Sequence, residues 1–204
     1  MFIAFDGIDG CGKSTQGKIL NDYLLSKGIK SILTKEPGGT KIGEVLRNIL
    51  ISKDFHPEPV TEILLYSADR LEHQKKVVLP HLDDNFVVIS DRYISSTYAY
   101  QIFGRRLDIS ILNFLEKITV LKHPDHIFII DIDPAVAVER SLKRLKKDDK
   151  LSSEGKFESL PESFYSDVRE GFLWYAKKFE NCHVLEGKKT PDQIFEMVKG
   201  ILQI

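Results

Sequence analysis

Cysteine is scarce in this chain, at two residues out of 204, and Cys11 and Cys182 form no recognisable spacing motif. That removes the close Cys/His spacings of structural metal sites and any disulfide framework. Surplus charge is missing too, since 29 lysines and arginines stand against 30 aspartates and glutamates. Without a positive excess, a general electrostatic grip on nucleic acid is not indicated. No apolar run approaches the roughly 20 residues that span a bilayer. The N-terminus reads as a core strand and not as a cleavable signal, so a cytoplasmic protein is expected. Internal repeats, low-complexity tracts and dividing linkers are also missing. Residues 1–204 are therefore expected to form a single α/β domain with an ample core.

What is present is concentrated at the start. Phe2 to Phe5 is an apolar run long enough for a buried strand, and Thr15 to Lys27 reads as a helix. Between them Gly7, Gly12, Lys13 and Ser14 complete G-x-x-x-x-G-K-[ST], the phosphate-binding P-loop. Residue frequencies give a chance match in roughly one per cent of chains this long, and the flanking strand and helix lower that further. The glycines let successive backbone N–H groups turn inward as an anion nest. The helix start adds unpaired N–H groups and the positive end of its dipole. Lys13 should reach the outer phosphates, and the Ser14 hydroxyl should hold Mg²⁺.

Further along, Ser31 to Thr34 is a second strand running into Lys35-Glu36-Pro37-Gly38-Gly39-Thr40. This turn lies either at the ligand-binding edge of a parallel sheet or in an ordinary connection. Ile42, Val45, Leu46, Ile49 and Leu50 mark an amphipathic helix. A helical pattern from Val60 to about Leu79 puts Tyr66 and Arg70 on one face. That pair could stack on and hydrogen-bond a base, or be a core edge with a snorkelling charge. A third strand, FVVIS, ends in Asp91-Arg92-Tyr93. Its carboxylate is placed to order Mg²⁺ through water, and its arginine offers the planar fork that grips phosphate. Ser95 to Gln101 mixes small, hydroxylated and aromatic residues, and Ile109 to Leu121 is a further helix. His126 to Asp131 is a fourth strand, and Asp133-Pro134 caps the helix after it. That helix runs into RSLKRLKKDDKLSSEGK, and the stretch carries Arg140, Lys143, Arg144, Lys146, Lys147, Lys150 and Lys156, which suit a solvated face or a lid closing over phosphates. Pro161 opens another helix, Val184-Leu185 marks a fifth strand, and Thr190 to Gln193 is a capping box. Five strands alternating with helices imply a doubly wound parallel sheet flanked by helices.

Two function classes compete. A GTPase switch needs N-K-x-D, which is missing, and the one D-x-x-G is Asp9 to Gly12 inside the P-loop itself. A motor-type ATPase lacks a small acceptor pocket. A small-molecule kinase needs a triphosphate site, an acceptor pocket with cationic clamps, and a lid, and the chain has candidates for all three.

The stretches GIDGCGKST, EPGGT (Glu36 to Thr40), LLYSADR (Leu64 to Arg70) and DRYISSTYAYQ (Asp91 to Gln101) follow one another in a specific order. DPAVAVERSLKR and FYSDVREGFLWYA are weaker matches. In these pieces the chain resembles the thymidylate kinases, P-loop enzymes that move a phosphoryl group from ATP to dTMP, giving ADP and dTDP in dTTP biosynthesis. The resemblance to P-loop kinases implies the strand order two, three, one, four, five. It also implies a homodimer acting on small molecules, with ATP and Mg²⁺ and neither nucleic acid nor membrane. ATP would lie on Gly7, Ile8, Asp9, Gly10, Cys11, Gly12, Lys13, Ser14, Thr15 and Arg140, with Mg²⁺ on Ser14 and, through water, Asp91. Arg70 would hydrogen-bond thymine, Tyr66 would stack on it where the family usually has Phe, and Thr97 would face its polar edge. Tyr100 would lie against the sugar and exclude a 2′-hydroxyl, Arg92 would clamp the acceptor phosphate, and Asp9 would sit near sugar and metal. Gly38 would let the backbone approach, with Glu36, Pro37, Ser96 and Gln101 completing the dTMP pocket. Gly10 and Cys11 bring no cation to the P-loop, so a lid at about 141–160 would supply it from Arg140, Arg144 or Lys156. The implied catalytic set is Lys13, Arg92, Asp9, Arg144 and Lys156. The chain departs from the family in its lysine-rich lid, with Gly155-Lys156-Phe157-Glu158 in place of D-R-[hydrophobic]-E, and in Lys35 before EPGGT. The alternatives are a nucleotide-dependent switch or ATPase, or a kinase for another nucleoside or deoxynucleoside monophosphate.

Overall fold

Five short strands pair in parallel in a computed structural model that describes residues 1–149, 156–157 and 160–204. They are β1 (Phe2–Asp6), β2 (Ser31–Lys35), β3 (Val87–Asp91), β4 (His126–Asp131) and β5 (Cys182–Glu186), in the order β2-β3-β1-β4-β5. This is the expected order. Lys35 and Phe5 both pair with Asp91, and Asp6 pairs with Ile129, so the carboxyl ends of the central strands finish level. Every residue of β1 is buried, which requires cover on both faces of the sheet. Helix α1 (Lys13–Ser26) covers one face and packs in turn on the C-terminal helix (Pro191–Leu202). The latter starts with the expected capping box of Thr190 and Gln193.

The next helices are α2 (Lys41–Ile51) and α3 (Pro59–His73). The pattern read as one helix to about Leu79 continues past α3 through a π-helical turn, Gln74–Val78, into α4 (Leu79–Asp83). Pro80 has no N–H to give the carbonyl four residues back, and the backbone widens just before it. Gln74 is buried there and bonds Thr119, Leu121 and Lys122, tying the turn to the end of α6 (Ile109–Thr119). Between β3 and α6, α5 (Ile94–Thr97) runs into a second π-helical turn, Tyr98–Gly104. α7 (Pro134–Lys147) is capped by Asp133, which accepts from Ala135 N at 3.0 Å. α8 (Glu162–Lys178) packs on the second π turn and on β4 and β5, and α9 is the C-terminal helix already described.

The apolar stripe of α2 does not face the core as its periodicity suggests. Leu50 is buried, yet Ile42 is 56 % and Val45 60 % exposed. Val60 and Leu64 on α3 and Phe114 and Ile118 on α6 are exposed as well, and α3 packs against both α2 and α6. Of the lid expected at about 141–160, residues 150–155 and 158–159 lie outside the described residues. No helix among the described residues is long and apolar enough to cross a membrane.

Candidate active site

The P-loop leaves β1 with Gly7, Gly10 and Gly12 all at positive φ, and Cys11 N closes it onto Ile8 O at 3.1 Å. At Gly10 the requirement is steric as well. A Cβ there would lie 2.1 Å from the carbonyl of Ala137, so the loop is pressed onto α7 and no side chain fits. Thr40, Asp108, Asp133 and Thr190 each cap a helix with a side chain, whereas α1 starts at Gly12 with no side-chain cap and no acidic residue in its first turn. Its first N–H groups are therefore available to an anion. Lys13 is only 4 % exposed, and its ammonium lies 3.2 Å from Asp9 Oδ1. Burial raises the thiol pKa of Cys11, and pushes that of Cys182 up to about 12, which leaves neither suited to redox chemistry at neutral pH.

At the end of β3, Ser14 Oγ donates to Asp91 Oδ2, while Asp91 Oδ1 is buried with no hydrogen-bond partner among the described residues. A hydroxyl beside an orphaned carboxylate oxygen at the mouth of a P-loop is an oxygen set that suits Mg²⁺, whose other ligands would be phosphate and water. Arg92 follows with φ of 76°, a left-handed conformation that a non-glycine side chain adopts at a cost. Its neighbours enforce it. Arg92 N donates to Phe5 O at 2.9 Å, Ser90 Oγ donates to Arg92 O at 2.7 Å, and Tyr93 N donates to Asp6 Oδ2 at 3.1 Å. Asp6 also accepts the hydroxyls of Ser95 and Ser96. Burial pushes its carboxyl up to about 6, against the opposing pull of Arg92 and these donors.

The guanidinium so placed reaches Asp9 Oδ1 at 2.8 Å, Gly7 O at 3.1 Å, Ser96 Oγ at 2.7 Å and the Tyr100 hydroxyl at 3.3 Å. Asp9 is thus held between Arg92 and Lys13. Burial alone would raise its carboxyl, but the two cations hold it well below the usual range.

Beside this cluster opens a cavity. Asp9, Glu36, Pro37, Tyr66, Arg70, Arg92, Ser96, Thr97, Tyr100 and Gln101 line it, so the pieces of the expected acceptor pocket converge from four separate stretches. Gly38 is the exception. It lies behind the wall, with its N–H given to Asp69 Oδ1 at 3.0 Å. The Tyr100 ring sits 5.0 Å from the Arg92 guanidinium and meets Phe157 edge-on at 5.7 Å. Gln101 Nε2 donates to buried Glu62 at 2.9 Å. Ile51, Tyr93 and Phe157 complete the apolar wall.

A second cavity runs along the P-loop past Lys13, Ser14, Lys35, Asp91 and Arg144. The two cavities share Asp9, Glu36, Arg47 and Arg92. Arg47 was not among the sequence candidates. It sits just off the apolar stripe of α2, where a charge reads as solvated, and nothing local marks it. Of the three lid cations proposed from sequence, Arg144 lines this cavity, and Arg140, one turn earlier on α7, is exposed and does not. Lys156 is not brought to the phosphate side at all. Its ammonium donates to Leu50 O at 3.1 Å and lies 3.8 Å from Glu62, on the acceptor side. Burial in that place, and Arg105 nearby, favour the uncharged amine, and Glu62 opposes them.

Comparison with known proteins points to one family. The thymidylate kinase family model matches residues 5–198. A thymidylate kinase of Carboxydothermus hydrogenoformans is 40% identical over 206 residues, covering 99% of this chain and 96% of that protein. One of Oleidesulfovibrio alaskensis is 39% identical over 205 residues, covering 98% and 96%. The crystal structure of thymidylate kinase from Ehrlichia chaffeensis superposes with a TM-score of 0.80 at 35% identity, covering 100% of this chain and 98% of that one.

Proposed function

The chain belongs to the thymidylate kinase family, and from that premise we propose that it phosphorylates dTMP to dTDP with ATP, using the joined cavities as donor and acceptor sites of one kinase domain. The observation that carries this reading is the shared wall of Asp9, Glu36, Arg47 and Arg92. Two polyanions entering from opposite sides would meet there.

In-line transfer between two anions is limited by charge repulsion and alignment, and little covalent chemistry is left to the protein. The P-loop amides and Lys13 hold the donor phosphates. Arg92 and Arg47 hold the acceptor phosphate, which is already ionised and needs no strong base. Arg144 approaches the transferred group from α7, since Gly10 leaves no room for a P-loop cation. Asp9 keeps Lys13 and Arg92 a fixed distance apart, and Arg70, Tyr66 and Thr97 hold the base. Tyr100 packs against the sugar face and disfavours a 2′-hydroxyl. Ser14 and Asp91 would hold Mg²⁺, which when bound neutralises phosphate charge.

The test is a Mg·ATP-coupled assay over a panel of nucleoside monophosphates, with dTMP expected to be turned over best. Equal turnover of UMP, CMP and dTMP would remove the thymidylate assignment and keep a kinase. Slow ATP hydrolysis indifferent to every monophosphate would point to a switch or ATPase instead.

A homodimer is part of the same proposal. The exposed apolar side chains of α2, α3 and α6, with Phe114 at 65 % exposure, stand on helices that pack side by side and are the surface offered to the partner. Light scattering of the purified protein should give twice the chain mass, and Phe114→Glu should halve it. A wild-type monomer would sink the dimer.

A further inference from the structure

Arg70 can read a base only while its guanidinium is held in place, and in a buried position water cannot hold it. Nε donates to Glu36 Oε2 at 2.9 Å and Nη2 donates to Thr97 Oγ1 at 2.9 Å. Nη1 is buried with no partner among the described residues, on a side chain that lines the acceptor cavity. Its unspent donors are the ones left for a ligand. Where they lie depends on Glu36, and Glu36 is gripped at its other oxygen. Oε1 meets His73 Nδ1 at 2.9 Å, and His73 Nε2 meets Thr34 Oγ1 at 2.7 Å.

We propose that His73 is a positioning residue for base recognition, fixing the Glu36 carboxylate and through it the Arg70 guanidinium that faces the acceptor base. The proposal rests on the dTMP reading of the cavity. His73 is fully buried and touches no part of that cavity, so it acts only through the chain His73–Glu36–Arg70.

A carboxylate bonded at one oxygen can still swing about its last torsion, and bonding at the second oxygen locks its plane. Arg70 and His73 stand three residues apart on α3 and therefore project from one helix face, which lets a single helix hold both oxygens. A carboxylate facing Arg70 accepts, so His73 donates from Nδ1, and its Nε2 shares a hydrogen bond with the Thr34 hydroxyl of β2. The ring orientation is thereby set from the sheet. The imidazole is also pressed beneath the loop that carries Glu36, because a Cβ on Gly39 would lie 2.5 Å from His73 Cδ2. With Asp69 taking the Gly38 N–H, α3 pins that loop through Asp69, Arg70 and His73 in one turn.

Steady-state kinetics of wild type, H73A and H73N test this, with dTMP, dCMP and ATP each varied. Losing a buried hydrogen bond to a charged group should raise the KM for dTMP roughly 10-fold or more in H73A. The kcat and the KM for ATP should stay within about twofold, and the preference for dTMP over dCMP should fall. In H73N the amide N–H can stand in for Nδ1–H, so most of the loss should be recovered. If H73A does not fold, T34V keeps the imidazole but removes the hydroxyl that orients it, and should raise the dTMP KM alone. Equal effects on both substrates, an unchanged dTMP KM, or an H73N no better than H73A would overturn the proposal. A wild type that does not turn over dTMP would instead remove the thymidylate reading, and the two failures cannot be confused.

Discussion

Replacing Lys13 with alanine lowers turnover on the order of 10³-fold and leaves the fold in place. The ammonium sits at the mouth of the P-loop, 4 % exposed, where a charge acts through a low-dielectric medium and not through water. Its carboxylate partner, Asp9, is also bonded to Arg92 at 2.8 Å. Truncation therefore leaves Asp9 paired, and the large penalty of an orphaned buried charge is avoided. What is lost is the cation aimed at the outer donor phosphates, and that loss is felt where charge redistributes during transfer. A coupled assay alongside a thermal unfolding curve checks both halves. A near-wild-type rate in Lys13→Ala would rule out the P-loop mechanism.

The second large effect is expected from Arg92→Lys, at about 10²-fold in kcat/KM for dTMP with the KM for ATP little changed. Both residues are cations, so the difference isolates geometry. The Arg92 guanidinium touches Gly7 O, Ser96 Oγ, Asp9 and the Tyr100 hydroxyl at once, with a flat fork that a single ammonium cannot reproduce. Backbone strain does not confound the comparison, because arginine and lysine carry the same cost at φ of 76°. The strain is held by Asp6, whose carboxylate takes the Tyr93 N–H and the Ser95 and Ser96 hydroxyls around it. Arg92→Lys with wild-type kcat/KM would mean that charge alone suffices at the acceptor phosphate.

Recognition of the site from sequence went furthest where chemistry is made by neighbours along the chain. The P-loop is eight successive residues whose function rests largely on their own N–H groups, and the short apolar strand before it and the helix after it are local patterns. The acceptor pieces EPGGT, LLYSADR and DRYISSTYAYQ were readable by resemblance, and the cavity brings them together apart from Gly38. Periodicity failed where it shows a face but not what the face meets. Ile42 and Val45 of the α2 stripe face outward, and Arg47, just off that stripe, lines both cavities. Lys156 is a candidate phosphate cation because the resemblance puts that cation in the lid, and only the packing shows its ammonium against Leu50 O and Glu62.

Residue order alone was enough to specify a triphosphate loop, the five strands and the longer helices and, through the motif series, the kinase family, but not the two π-helical turns. Which charges meet was decided only when the chain folded. Ser96 reaches Asp6 across 90 residues and Ser14 reaches Asp91 across 77, and Glu36 is shared by two side chains of a helix more than 30 residues on. Such pairs leave no periodic trace, since each is set by strand register and helix packing. The P-loop carries its chemistry in its own backbone, whereas the clamp around it is assembled from side chains that only the sheet brings level.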